Sequence, residues 1–248
     1  MKEYFKIPKT KAMSNLRDQL RKLDDEIWKN YIFSHLFQYY NSVDNKTIQT
    51  IIQKETDKKK ANIETEIKKH IRNWLTRQSE SFDEQEFIVN LEPSSECNKD
   101  GFIDLKFEHS SWRNKYFSFE AKNLGEIKNR GQSTLINEYV YVKTKDREDG
   151  GMYRYMTNKY ACELNFGGML GFVVGKNQDL INKLTDKIQS VYQKTNRGTL
   201  IGNKIIYNSI TDNKNTFDTI HLRKNSITKQ EEKFCLHHII MDFANCDE

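Results

Sequence analysis

The stretch GGMLGFVVG, ending at Gly175, is almost wholly apolar, and it is far shorter than the roughly 18 residues of a membrane span. A run of this kind reads as a β-strand buried on both faces. Such a strand needs neighbouring strands at its edges and helices above and below it. The 248 residues supply the material: 36% are hydrophobic and 12% aromatic, which excludes a disordered chain. The expected class is α/β, a mixed central sheet flanked by helices.

Periodicity places the remaining elements. Residues 12–40 repeat apolar side chains at Leu16, Leu20, Leu23, Ile27, Ile32, Leu36 and Phe37, the spacing of a helix. A break at 41–45 precedes a short helix over 47–54, and the charged run from Lys54 to Lys60 reads as a solvated linker. A second apolar stripe follows at Ile63, Ile67, His70, Ile71, Trp74 and Leu75. After Phe82 the period changes to two. Phe87, Val89 and Leu91 alternate, as do the runs 102–108 and 115–122, which are joined by turn chemistry into an antiparallel pair. Helices are expected over 132–143, 152–160 and 179–194, and further strands over 204–209, 216–223 and 234–243. Residues 1–56 form an α-helical N-terminal extension and 57–248 the main domain.

Charge and cysteines narrow the function classes. A net charge of +5 permits nucleic-acid binding. No apolar run reaches the length of a membrane span, and the start MKEYFKIPKTK lacks the apolar segment of a signal peptide. Cys97, Cys162, Cys235 and Cys246 are scattered without a CxxC pair, so free thiols in a reducing cytoplasm are expected. His237 and His238 are adjacent on a strand and face opposite ways, so they do not share a metal. There is no GxxxxGK[ST] loop, hence no nucleotide-cofactor motif, and neither GxSxG nor HExxH occurs.

The chemistry concentrates on two strands. Side chains alternate, so Asp104 projects away from Ile103 and Leu105, while Ser118, Glu120 and Lys122 share one face opposite Phe117, Phe119 and Ala121. Pairing the two strands brings Asp104, Glu120 and Lys122 together. Adjacent carboxylates repel, and a divalent cation with oxygen ligands relieves that repulsion. A nearby ammonium stabilises an anionic transition state. The spacing acid-x-Lys is common in this chain, at Asp44, Asp57 and Glu66 among others, and only its strand context singles out Glu120. The competing reading is a cross-strand salt bridge on a solvated sheet face.

The segment Gly-Phe-Ile-Asp104-Leu, with fifteen residues between Asp104 and the acid of Glu120-Ala-Lys122, resembles the PD-(D/E)xK nuclease superfamily, which includes many restriction endonucleases. The resemblance runs from about Ile63 to Gly175 in the order helix, three strands, helix, strand. It departs in one place, where Ile103 stands in for the proline before the acid. It implies a restriction-endonuclease-like core in which Asp104, Glu120 and the backbone carbonyl of Ala121 hold Mg²⁺, with Mn²⁺ as a substitute, and Lys122 assists the attacking water. Members often add a glutamate from the preceding helix; Glu64, beside the apolar stripe, suits that part better than Glu66. Gln132 resembles the polar residue some members place on the helix after the motif, in a catalytic part. Lys143, Lys145, Arg147, Arg154 and Lys159, interleaved with Tyr139, Tyr141, Tyr153, Tyr155 and Tyr160, form the stretch best suited to a nucleic-acid backbone, although aromatics at such spacing are more often core. The implied activity is Mg²⁺-dependent hydrolysis of DNA, in a bacterial restriction or anti-phage setting. A noncatalytic DNA-binding or assembly subunit and an RNase toxin of the same fold are the alternatives. The apolar stripe of residues 1–56 would pack on the core, on a second copy, or on a defence-system partner protein.

Overall fold

In a computed structural model, the described residues are 13–58, 61–77, 87–95, 97, 101–110, 112, 115–128, 130–145, 148–193, 198–201, 206–207 and 216–244. The helices are α1 (Met13–Ser42), α2 (Asn45–Thr56), α3 (Ile63–Arg77), α4 (Gln132–Val140), α5 (Gly151–Met156) and α6 (Leu180–Tyr192). The strands are β1 (Phe87–Leu91), β2 (Leu105–His109), β3 (Phe117–Leu124), β4 (Val142–Lys143), β5 (Glu148–Asp149), β6 (Phe166–Val173), β7 (Thr199–Leu200), β8 (Ile206–Tyr207), β9 (Thr216–Lys224) and β10 (Glu231–Asp242).

The apolar run becomes β6, buried along its whole length at the middle of the sheet. Seven strands run in the order β1-β2-β3-β6-β10-β9-β7, and β8 pairs with β9 beside that path. β1, β2 and β3 are antiparallel neighbours, β6 lies parallel to both β3 and β10, and β9 returns antiparallel to β10. The sheet is therefore mixed, and the fold is α/β with helices packed against the sheet. The expected β2–β3 pair is present, with Leu105 opposite Phe119. The parallel step from β3 to β6 needs a crossover, and α4 and α5 provide it. Gly168 on β6 lies opposite Phe119, and a Cβ there would run into that ring. Glycine at this position lets large aromatic side chains of the neighbouring strand fill the space.

The two faces of the sheet differ. Phe33 of α1 packs its ring against Phe117 and Phe119 of β3. On the other face Tyr139 of α4 stacks against His238 of β10. The helices ahead of residue 57 share the core with the sheet: Ile32, Leu36, Tyr39, Ile48 and Ile52 all belong to it, and Tyr40 donates a hydrogen bond to the Asp242 carbonyl at 3.0 Å. From Ile32 onward the buried side of these helices is thus covered by this chain's own core. In α3 the stripe is Ile63, Ile67, Ile71 and Leu75, each buried, at a strict four-residue repeat.

Several expectations need correction. Ile27 is 55% exposed, because the buried side of α1 runs through Lys29, Ile32, Phe33, Leu36 and Tyr39; the side chains of Leu16, Leu20 and Leu23 lie outside the described residues. The charged run from Lys54 is not wholly a solvated linker. α2 continues to Thr56, and Glu55 is buried, accepting a hydrogen bond from Lys58 and one from the Asn62 backbone N–H at 3.3 Å. α4 ends at Val140 because Val142 and Lys143 pair as a strand with Glu148 and Asp149. α5 ends at Met156, and Asn158 and Ala161 beyond it adopt left-handed φ values of 57° and 52° that no helix accommodates.

The cysteines also differ from expectation. Cys97 and Cys162 form a disulfide with a Cα–Cα distance of 5.7 Å, across 65 residues of sequence. Cys235 is free, and Cys246 lies outside the described residues. Bonded cysteines so far apart in sequence leave no local spacing signature, so only the fold can bring them together. Among the described residues no helix is long and apolar enough to cross a membrane.

Two outcomes check this description. Peptide mapping without reductant should recover Cys97 linked to Cys162 and Cys235 alkylated. Phe33→Ala should cost about 3–5 kcal/mol in a urea titration, the range for a buried aromatic truncated in a core. A cost near zero would mean that α1 does not belong to that core.

Candidate active site

Asp104 sits immediately before β2, and Glu120 and Lys122 are on β3, where the register sets Leu105 against Phe119. Asp104 therefore falls beside Glu120 and Ala121. Its Oδ2 accepts the Ala121 backbone N–H at 2.7 Å, which pins the carboxylate across the two strands. Glu120 is fully buried. Its Oε1 accepts from Lys122 Nζ at 2.5 Å and from Arg154 Nη1 at 2.7 Å, whereas its Oε2 is buried with no hydrogen-bond partner. Lys122 Nζ also donates to the Ala121 carbonyl at 2.7 Å and lies 4.0 Å from Asp104. The ion pairs of this cluster do not lie on a solvated sheet face, because Glu120 has no solvent exposure.

Helix α3 completes the cluster. Glu64 lies 3.8 Å from both Lys122 and Lys68, while Glu66 turns outward and pairs with Lys69 at 2.8 Å. Glu64 thus faces the cluster and Glu66 faces away from it. Lys68, four residues on and 2% exposed, contacts Asp104 Oδ1 directly and reaches Glu92 at 3.3 Å. The sequence reading missed Lys68. A lysine between Ile67 and Ile71, one turn after Glu64, was the available signal.

Arg154, expected on a nucleic-acid surface, belongs to this cluster instead. Its guanidinium joins Glu120, Asp149 at 2.9 Å and the Tyr160 hydroxyl at 2.9 Å. Gly151, at the start of α5, permits the approach: a Cβ there would press on Met169, on the Tyr139 carbonyl and on Glu120. The interleaved tyrosines are core rather than stacking platforms, with Tyr139, Tyr153, Tyr155 and Tyr160 all buried. Tyr139 and Tyr155 fall on the inner sides of their helices, where hydroxyl partners such as Ser118 and His238 await them. Lys143 is exposed and pairs with Glu148 at 3.2 Å, Lys159 is half-buried, and Arg147 lies outside the described residues. Gln132 does not join the cluster: it donates to the Gln178 carbonyl at 3.2 Å and accepts from Lys183 at 3.4 Å.

Burial and charge set the protonation states. Burial, opposed by Lys122 and reinforced by Asp104, pushes the Glu64 carboxyl up to about 7. Burial and the neighbouring Asp104 also raise Glu120. Burial would raise Asp104 too, but Lys122, Lys68 and the Ala121 N–H outweigh it and hold it below the ordinary carboxylate value. Lys122 is held above the usual lysine range, because Glu120, Glu64 and Asp104 overcome the cost of burial.

The donor set is rich in oxygen: the carboxylates of Glu64, Asp104 and Glu120 and the Ala121 carbonyl. Such ligands suit Mg²⁺ or Mn²⁺. The unpartnered Glu120 Oε2 leaves the cluster a buried acceptor that its own cations do not satisfy, although the three carboxylates are not drawn to within 4.8 Å of one another. A cavity of about 280 Å³ adjoins the cluster, lined by Lys122, Glu138, Asp149 and Arg154 among others. No family model, curated protein or solved structure matches this chain.

The raised Glu64 carboxyl gives a pH prediction. The folded chain binds this proton more tightly than the unfolded chain, so the contribution is full below the ordinary value of 4.5 and is lost as pH rises through about 7. Glu64→Gln removes that loss. Compared with wild type, its urea midpoint should improve between about pH 5 and about pH 8. Parallel pH profiles for the two proteins would show that Glu64 titrates normally.

Proposed function

We propose that this chain is a metal-dependent nuclease of the PD-(D/E)xK type that hydrolyses nucleic-acid phosphodiester bonds, DNA foremost. The observation that carries the reading is the meeting of Asp104, Glu120 and Lys122 across β2 and β3, joined by Glu64 from the helix before β1. The order α3, β1, β2, β3, α4 and then, after the β4–β5 hairpin and α5, β6 supports it. Asp104, Glu120, Glu64 and the Ala121 carbonyl would hold a divalent cation, which supplies charge stabilisation at the phosphate and a water of lowered pKa. Lys122 stays an ammonium at neutral pH, so its part is to face the negative charge that develops on the attacked phosphate. Arg154 bridges Asp149 and Glu120 and so orients the buried carboxylate. A restriction or anti-phage setting goes with this reading on resemblance alone.

One observation favours a second reading, a noncatalytic subunit of nuclease fold. Lys68, Lys122 and Arg154 already pair the acids, as in a purely structural ion network.

Incubation of the full chain with circular DNA, linear DNA and RNA, each with Mg²⁺, Mn²⁺ or EDTA, separates the readings. Metal-dependent cleavage of DNA is expected. Glu120→Gln and Lys122→Ala should each lower the rate by about 10²–10³-fold or more while circular dichroism stays unchanged. Undiminished cleavage in either variant would remove the site. Cleavage of RNA alone would identify an RNase, and binding without cleavage a noncatalytic subunit.

A further inference from the structure

On the sheet face covered by α1, the register brings three side chains of metal-ligating type together. His237 of β10 lies directly opposite Asp218 of β9, and Cys235, two residues before His237, points to the same side. His237 Nδ1 is 2.8 Å from Asp218 Oδ1, and one ligand atom from each of the three residues lies within 4.8 Å of the others. Among the described residues this is the one such set. His237 is 7% exposed, held between the rings of Phe33 and Phe117 at 5.3 and 5.9 Å. Its position also differs from that of the nearby histidines. His238 partners both ring nitrogens, through Tyr139 and Thr219, and so does His221, through the Gly198 carbonyl and Thr219. His237 Nε2 is buried without a partner, so the ring's polar contacts all lie on the side of Asp218 and Cys235. Beside the three opens a cavity of about 540 Å³, also lined by Asp25, Glu26 and Lys29.

We propose that Asp218, Cys235 and His237 form a binding site for a transition-metal cation of the zinc class, with its fourth position open to the cavity beneath α1. The donor chemistry selects the ion: thiolate and imidazole suit Zn²⁺ and exclude Mg²⁺ as the natural occupant. Tetrahedral ligands about 2.0 Å from zinc stand about 3.3 Å apart, so the Asp218–His237 pair needs to open by only a few tenths of an ångström. Binding displaces the proton shared at Nδ1 and the thiol proton of Cys235 to solvent, and no electrons move. Three protein ligands and one open position are the arrangement of zinc sites that admit water or a small ligand. Glu120 lies on the other face, since Gly168 pairs with both Phe119 and His237 while Glu120 is the next residue along β3. The site therefore stands whether or not the chain cleaves nucleic acid.

The test uses the full chain, stripped with EDTA, desalted and titrated with Co²⁺ alone and with Zn²⁺ alone. One equivalent of Co²⁺ should give a thiolate-to-metal charge-transfer band in the near ultraviolet and the strong visible bands of a tetrahedral ion. Cys235→Ser should lose the charge-transfer band, and His237→Gln should weaken binding about tenfold or more. A second measurement needs no variant: Zn²⁺ at tenfold over its dissociation constant should slow alkylation of Cys235, mapped by mass spectrometry, by about tenfold. Either the lack of a thiolate band in wild type, or its survival in Cys235→Ser, would overturn the site. So would alkylation of Cys235 at one rate with and without Zn²⁺.

Discussion

A carboxylate with no solvent exposure in the middle of a sheet has to be surrounded by positive charge or hydrogen-bond donors, because an isolated ion there is prohibitive. Glu120 imposes that demand on this molecule. Lys122, two residues along the same strand, meets part of it, and Arg154 meets more from α5. Arg154 depends in turn on where α5 and the loop after it are held. There the buried guanidinium of Arg223 acts, donating to the carbonyls of Tyr155, Ala161 and Leu164 and pairing with Glu232. A cation on β9 thus fixes the segment that delivers a second cation to β3.

Neutralisation is incomplete at one atom. Glu120 Oε2 has no partner, Glu64 is pushed towards its protonated form, and Asp104 is held ionised by two lysines. Carboxyls within one cluster therefore differ in their hold on a proton. The same geometry limits Lys122, which its three acidic neighbours keep charged.

The sheet divides its chemistry between its faces. Beneath α4 and α5 the polar cluster forms around Glu120. Beneath α1 the surroundings are aromatic, and Asp218, Cys235 and His237 gather at the margin of a cavity. Both arrangements rest on β6, whose small residues allow β3 and β10 to present bulky side chains on either side.

What the sequence determined by itself is local and periodic. The stripe of α3, the doubly buried β6 and the alternation along β2 and β3 all follow from side-chain spacing. So does the meeting of Asp104, Glu120 and Lys122, since a short antiparallel pair has few registers that bury Leu105, Phe107 and Phe119 together. Spacing could not tell that Arg154 turns inward to Glu120, that Lys68 reaches Asp104, or that Cys97 joins Cys162. Those contacts link residues 34, 36 and 65 positions apart. Periodicity tells which side of an element is buried, but the partner on that side is chosen by how the elements pack, and only the tertiary structure decides that.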